Sequence, residues 1–288
     1  MVPVTTPTDP LRLRVRIDAQ PDAVFTALTD PDVMTDWFAE SVAVELAENR
    51  FEFWGRYAPL GDRARQHLQS AEPNASLRFT WDLDGDQPSE VDLSVAAHPD
   101  GGAVATLVHS GIPAAHRLAV ECFWSVTLAN LAAQSEDRQT MPPFDFSAPA
   151  QEVAFARTVI DVPAEEVYAF LLDPARVGPW IEGTATIEPE VGGRYDFGWS
   201  HGPEQGPDQI VELDPDKQLA FTWKSAGSPQ TIVRWQLRAV RGSTYLTLVH
   251  EGFTDDEAAE QYRLGWPPFL VELKRRLELG DLHEPLRG

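Results

Sequence analysis

Two histidines occupy matching places in this chain, His109 in "LVHSGIP" and His250 in "LVHEGFT", 141 residues apart (250 − 109). An imidazole exchanges protons near neutral pH. Each histidine can therefore serve as a polar group at the rim of a binding cavity or as a general base. The plainer role is structural, a strand-end histidine bonded near the start of a helix, and that role is preferred. No second histidine lies at ligand spacing and Cys122 is the single cysteine, so neither a zinc site nor an intrachain disulfide is expected. No cofactor is expected either. Phosphate-loop, Gly-x-Ser-x-Gly and Ser-His-Asp patterns are not legible.

Aromatic residues form the second group with chemical potential. Tyr195, Phe197 and Trp199 alternate in "RYDFGW", and Phe51 and Phe53 take the equivalent places in "RFEFW". Alternation puts them on one face of a strand. Trp81, Trp124, Trp223, Trp235 and Trp266 add further ring surface. Such a set builds an ordinary core or the wall of a pocket for a flat apolar ligand. Glu52 and Asp196 fall between the aromatics and are expected on the solvated face. "GDRARQHL" (61–68) and "SHGPEQG" (200–206) are polar segments expected near a cavity mouth.

The elements that carry these residues occur twice. "IDAQPDAVFTALTDPDVMTDWF" from Ile17 matches "IDVPAEEVYAFLLDPARVGPWI" from Ile160, and "LRFTWDLDG" from Leu77 matches "LAFTWKSAG" from Leu219. The period is the size of a whole domain, so the chain is a tandem duplication. Each copy opens on an alternating strand, Leu11, Leu13, Val15 and Ile17 in the first. A short helix follows and stops at Asp30-Pro31 or Asp173-Pro174, because the residue before proline disfavours helical geometry. Strands are expected near 41–46, 50–57, 63–72, 76–83, 89–97 and 102–109, then a long helix over 114–135. The second copy repeats this with strands near 184–189, 192–199, 207–214, 218–225, 230–240 and 243–250, and a helix over 255–279. "RQTMPPFDFSAPAQE" between them reads as a semi-stiff linker, giving domains 1–140 and 150–288. The class is α+β: two helix-grip domains, each a strongly curved antiparallel sheet wrapped around a long C-terminal helix with two short helices. The gap between sheet and helix is expected to be an apolar cavity.

This order of elements resembles the helix-grip (START-like, SRPBCC) superfamily. It is most similar to the family of the C-terminal domain of the heat-shock-protein ATPase activator. The resemblance rests on Asp30, Pro31 and Trp37, on Asp173, Pro174 and Trp180, on the "FTW" strands, and on "TYLTLVHEGF" with the following "LGW". The first copy departs from it, with Phe123-Trp124 where the second has Gly265-Trp266. The larger pocket is therefore expected in the second copy. The superfamily includes lipid binders, polyketide cyclases, co-chaperones and antibiotic-resistance proteins.

Composition narrows the partners. The net charge is −22, from 10 basic and 22 acidic residues in 1–150 and 13 and 23 in 151–288, so both copies are acidic. Nucleic acid and anionic membranes are repelled. No run approaches the length of a membrane span and no signal peptide is expected, which reads as cytoplasmic. The leading reading is a binding protein, without catalysis, for a small hydrophobic molecule of polyketide or polycyclic type, serving carriage, sequestration or antibiotic self-resistance. The alternatives are a co-chaperone-like interaction protein with a protein partner, and a cyclase or hydrolase whose polar group is His109, His250, Tyr195 or Arg234.

Overall fold

The computed structural model describes residues 9–148, 151–199, 206–225 and 227–286. The first copy runs β1 (Leu11–Ile17), α1 (Pro21–Thr29), α2 (Pro31–Trp37), β2 (Ser41–Glu45), β3 (Arg50–Trp54), β4 (Gln66–Glu72), β5 (Ser76–Trp81), β6 (Ser89–Ala97), β7 (Ala103–Ser110) and α3 (Arg117–Ser135). The second runs β8 (Val153–Ile160), α4 (Ala164–Leu172), α5 (Pro174–Trp180), β9 (Thr186–Ile187), β10 (Tyr195–Asp196), β11 (Gly206–Asp214), β12 (Gln218–Lys224), β13 (Thr231–Val240), β14 (Ser243–Glu251) and α6 (Asp256–Leu279).

Both copies share one topology. Five antiparallel strands lie in the order β1-β7-β6-β5-β4 in the first and β8-β14-β13-β12-β11 in the second, so the first strand pairs with the last. The pairs β2–β3 and β9–β10 stand beside them. In β1 the alternating Leu11, Leu13, Val15 and Ile17 are all buried, which fixes the face turned to α3. The Asp-Pro motif works as a two-way switch between helices. Asp30 ends α1 and caps α2, its carboxylate accepting from Asp32 N at 3.0 Å, while Pro31 takes the first helical position. Asp173 does the same for α5, accepting from Ala175 N at 2.9 Å.

Three sequence expectations change. A single 3-10 turn, Ala114–His116, precedes α3. The strand expected over 192–199 is reduced to Tyr195–Asp196, because Gly198 has φ +66° and its missing Cβ would lie 2.3 Å from Thr184 O. The segment expected to be a semi-stiff linker is packed on the first copy up to residue 148. Met141 is buried, the Asn130 side chain binds both its N and its O (2.8 and 2.9 Å), and Phe146 N donates to Arg56 O at 2.7 Å.

By packing, the described residues form two compact units, 9–148 with 284–286, and 151–283. In the first, Leu286 is buried and its O accepts from Arg14 N at 2.7 Å, covering part of edge strand β1.

Candidate functional site

The first-copy aromatics meet one another. Phe51 and Phe53 on β3, Phe79 and Trp81 on β5, and Phe123 and Trp124 on α3 are all buried. Phe53 stacks on Phe123 with centroids 5.6 Å apart and meets Trp81 edge-on at 5.1 Å. Phe51 lies against Phe79 at 5.2 Å, and Trp81 against Trp124 at 6.1 Å. Where a cavity between sheet and helix was expected, Phe123 sits in the middle of a filled aromatic core.

The second copy brings the equivalent rings together but has Gly265 in the place of Phe123. Tyr195 stacks on Phe221 at 4.4 Å and donates its hydroxyl to Leu171 O at 2.9 Å. Phe197 meets Trp199 at 5.1 Å, Trp199 meets Trp223 at 5.9 Å, and Trp266 lies 5.5 Å from Trp223 and 6.0 Å from Trp235. On α6, Tyr262, Gly265 and Phe269 fall at helical spacing three and four apart, so they share a stripe. A Cβ added at Gly265 would find nothing within 4 Å. Tyr262 and Phe269, both half-buried, flank Gly265 along the helix, and the half-buried Trp199 lies 6.1 Å from Phe269 while the buried Trp223 lies 5.6 Å from Tyr262. Trp199 is held there by its indole N–H, which donates to Ile181 O at 2.8 Å.

The two histidines have the same job in each copy. Trp124 donates its indole N–H to His109 Nδ1 at 2.9 Å. An indole N–H can only donate, so Nδ1 carries a lone pair and the ring proton sits on Nε2. That proton goes to Ser89 Oγ at 2.8 Å, and Ser89 donates to Trp81 O at 2.8 Å. In the second copy the relay runs from Trp266 to His250 (3.3 Å), to Thr231 Oγ1 (2.7 Å), to Trp223 O (3.4 Å). Burial holds His250 down from its ordinary 6.5 to about 3, and burial with the nearby Arg117 charge does the same to His109. Both imidazoles are neutral and fully engaged, with no lone pair free to take a substrate proton. The sequence reading missed Ser89 and Thr231. The signal was a hydroxyl residue eight positions past Trp81 and Trp223 in both copies.

The other candidate polar groups are also committed. Burial raises the Tyr195 phenol far above its ordinary range, so it stays protonated. Arg234 is on the opposite face of β13 from Trp235 and pairs with Glu212 and, at 3.4 Å, with Glu251. Glu52 pairs with Arg50 at 2.9 Å and Asp196 with Arg194, as expected of the outer face. In "GDRARQHL", Arg65 is buried and bonded to Asp62 (3.0 Å) and Asp84 (2.6 Å), clipping the loop to the hairpin. "SHGPEQG" lies, apart from Gly206, outside the described residues. Among the described residues no three His, Cys, Asp or Glu side chains gather as a metal site, and no helix is long and apolar enough to cross a membrane.

Residues 18–136 and again 161–278 match the family described as activator of Hsp90 ATPase homolog 1-like protein, so the chain is a tandem helix-grip protein of that family. No curated protein matches it. Among solved structures it is similar to protein MLL2253 from Mesorhizobium loti, at 25% identity and TM-score 0.40, over 45% of this chain and 99% of that one. The Aha1 dimer from Colwellia psychrerythraea matches at 25% identity and TM-score 0.39, over 44% of this chain and 97% of that one. DynU16, from the dynemicin biosynthetic locus, spans both copies, with 93% of this chain and 98% of that one covered at 17% identity and TM-score 0.35.

Proposed function

We propose that this protein binds a small, flat, apolar molecule in its second helix-grip domain, at the ring-lined notch beside Gly265. The observation that carries the reading is the contrast between the copies. Phe123 fills in the first domain the place that Gly265 leaves open in the second. Tyr262 and Phe269 on either side of Gly265, with Trp223 and Trp199 next to them, offer stacking and edge contacts to a planar guest. The net charge of −22 selects neutral or cationic guests over anionic ones. Carriage or sequestration, including self-resistance to a toxic metabolite, needs only this binding. The engagement of His109, His250, Tyr195 and Arg234 speaks against the catalytic alternative.

The test is to fill the notch as the first domain does. Quenching of tryptophan fluorescence by neutral polycyclic compounds should be seen with the wild type at micromolar concentration. Gly265→Phe should abolish the part of it that arises in this domain while the melting temperature holds. Binding that survives undiminished with the notch filled, together with unchanged binding in Trp199→Ala, overturns the placement.

The family description favours a second reading, a protein partner of the Hsp90 type. If no hydrophobic compound binds the wild type, and the purified protein instead raises the ATPase rate of such a chaperone, this second reading replaces the first.

A further inference from the structure

The strands that open the two copies are equivalent sheet edges, but they are covered differently. On β1 the chain's own C-terminal segment occupies the edge. Arg14 N donates to Leu286 O at 2.7 Å, and the Glu284 carboxylate faces the Arg14 and Arg16 guanidinium groups at 3.7 and 3.9 Å. Arg14 therefore holds one segment twice, through its backbone N–H and through its side chain. Leu286 is 3% exposed, so the contact also buries an apolar residue. Strand addition to a sheet edge works in this way, with main-chain bonds for grip and side chains for choice.

Arg157 on β8 is the counterpart of Arg14. Arg14 pairs in register with Thr106, and Arg157 with Thr247. Its backbone N–H therefore points out of the sheet, as does Val159 O two residues on, which accepts from Lys274 Nζ at 2.7 Å. Among the described residues nothing beyond the sheet bonds Arg157 N. The exposed Arg157 side chain donates to the Tyr245 hydroxyl at 3.5 Å and has no carboxylate at ion-pair distance among those residues. Acidic residues outnumber basic ones 45 to 23, so that gap does not reflect scarcity. Phe155, two residues before, is 46% exposed. The far edges of both sheets are taken, β4 by β3 through Phe53 N on Gln66 Oε1 (3.1 Å) and β11 through Ile210 N on Gly193 O (2.9 Å), just before β10.

We propose that the β8 edge at Phe155 and Arg157 is a docking site for an extended peptide segment of another polypeptide, one with an acidic residue two positions before an apolar residue. The pattern is the one that Glu284 and Leu286 show on β1: a carboxylate for the guanidinium and, two residues later, a main-chain carbonyl for the N–H. Where β1 sets Arg12 and Arg16 beside Arg14, β8 sets Phe155 and Val159 beside Arg157. Its ligand therefore carries one acidic group among apolar neighbours. The chain's own remaining segments do not fit. Of those outside the described residues only 200–205 holds an acidic residue, and Glu204 is followed two places on by Gly206. An edge strand left open is ordinarily blunted or covered, and here the covering segment comes from outside the chain.

The probe is the chain's own tail as a separate peptide, residues 282–288 (LHEPLRG), which the β1 edge shows to have the right chemistry. It carries an N-terminal fluorophore and is titrated by anisotropy into the full chain, whose β1 edge is already occupied. Saturable binding is expected, with residue-resolved amide exchange slowed at Phe155 and Arg157 and unchanged in β1. Arg157→Glu, at an exposed side chain, should weaken the peptide about tenfold or more, because it sets like charges against each other. A peptide with glutamine in place of its glutamate should bind about two- to fivefold more weakly, the range of an exposed ion pair. Weakening by Arg14→Glu in place of Arg157→Glu would mean that the peptide displaces the tail from β1, and overturns the site. Absence of binding at millimolar peptide overturns it too. So does self-association of the full chain that Arg157→Glu abolishes, which would give the β8 edge to a second copy.

Discussion

His109 and His250 carry the strongest residue-scale signal in the sequence, and their chemistry turns out to be architectural. Each ring bridges an indole on the long helix to a hydroxyl on the neighbouring strand, and through it to a backbone carbonyl. The neutral form is required at both ends, which is the physical meaning of a pKa held near 3. The sign of the pH effect follows. The unfolded chain binds a proton at each of these histidines below about pH 6.5 and the folded chain does not, so their contribution is complete above that pH and is lost as pH falls toward 3. We expect the unfolding free energy to drop by up to about 1.4 kcal/mol per pH unit for each histidine between pH 6 and 5. Denaturant melts across that range should lose part of this slope in His109→Gln and His250→Gln, and an unchanged slope would refute the assignment. His250→Ala should cost about 2–4 kcal/mol, the loss of the ring together with orphaned partners, while Trp199→Ala should weaken ligand binding by about 1–3 kcal/mol with little effect on the melt. The repeated motif made the histidines visible in the sequence. Their hydroxyl partners left only the shared eight-residue spacing after Trp81 and Trp223, because Ser89 meets His109 and Thr231 meets His250 only once the strand register is known.

The helices and strands show how one fold accepts two interiors. α3 and α6 carry the same Trp at the same turn, yet the residue before it is Phe123 in one and Gly265 in the other. A glycine in a helix interior costs about 0.5–1 kcal/mol relative to alanine. Since a Cβ at Gly265 meets nothing within 4 Å, Gly265→Ala should stabilise the second domain by about that amount in a thermal melt. A destabilised Gly265→Ala would mean that the space is not free. Such elements were legible where a pattern is local: alternation marks β1, and Asp-Pro marks the breaks between α1 and α2 and between α4 and α5. The strand around Tyr195 was misjudged because period two survives in the letters of "RYDFGW" while Gly198 turns the backbone. Phe123 in place of Gly265 marked in the sequence that the first core is the fuller one, but not how completely rings from β3, β5 and α3 share its volume. No single segment records how they interlock.

For the whole molecule, duplication implies that each copy retains what it needs to fold, and we propose that the two are separable units. The packing shows where the cut belongs. A piece ending at residue 140 deletes Met141 and takes from the Asn130 side chain, which is 1% exposed, both of its bonds to Met141, leaving its oxygen unpaired and its nitrogen only Trp37 O at 3.4 Å. Losing a buried methionine and unpairing a buried amide together cost about 3–5 kcal/mol, roughly 10 °C in melting temperature for a domain of this size. A piece ending at 148 keeps both contacts. It gives up only 284–286, where Leu286 O accepts from Arg14 N on the edge of the first sheet. We therefore expect residues 1–148 and 150–288 each to give a single cooperative melt by circular dichroism, and 1–140 to melt about 10 °C below 1–148. Two pieces that are unfolded when separate, from a whole chain that melts once, would show that the copies depend on each other and that the boundary is wrong. Equal melting of 1–140 and 1–148 would show that the segment after α3 adds nothing to the first domain.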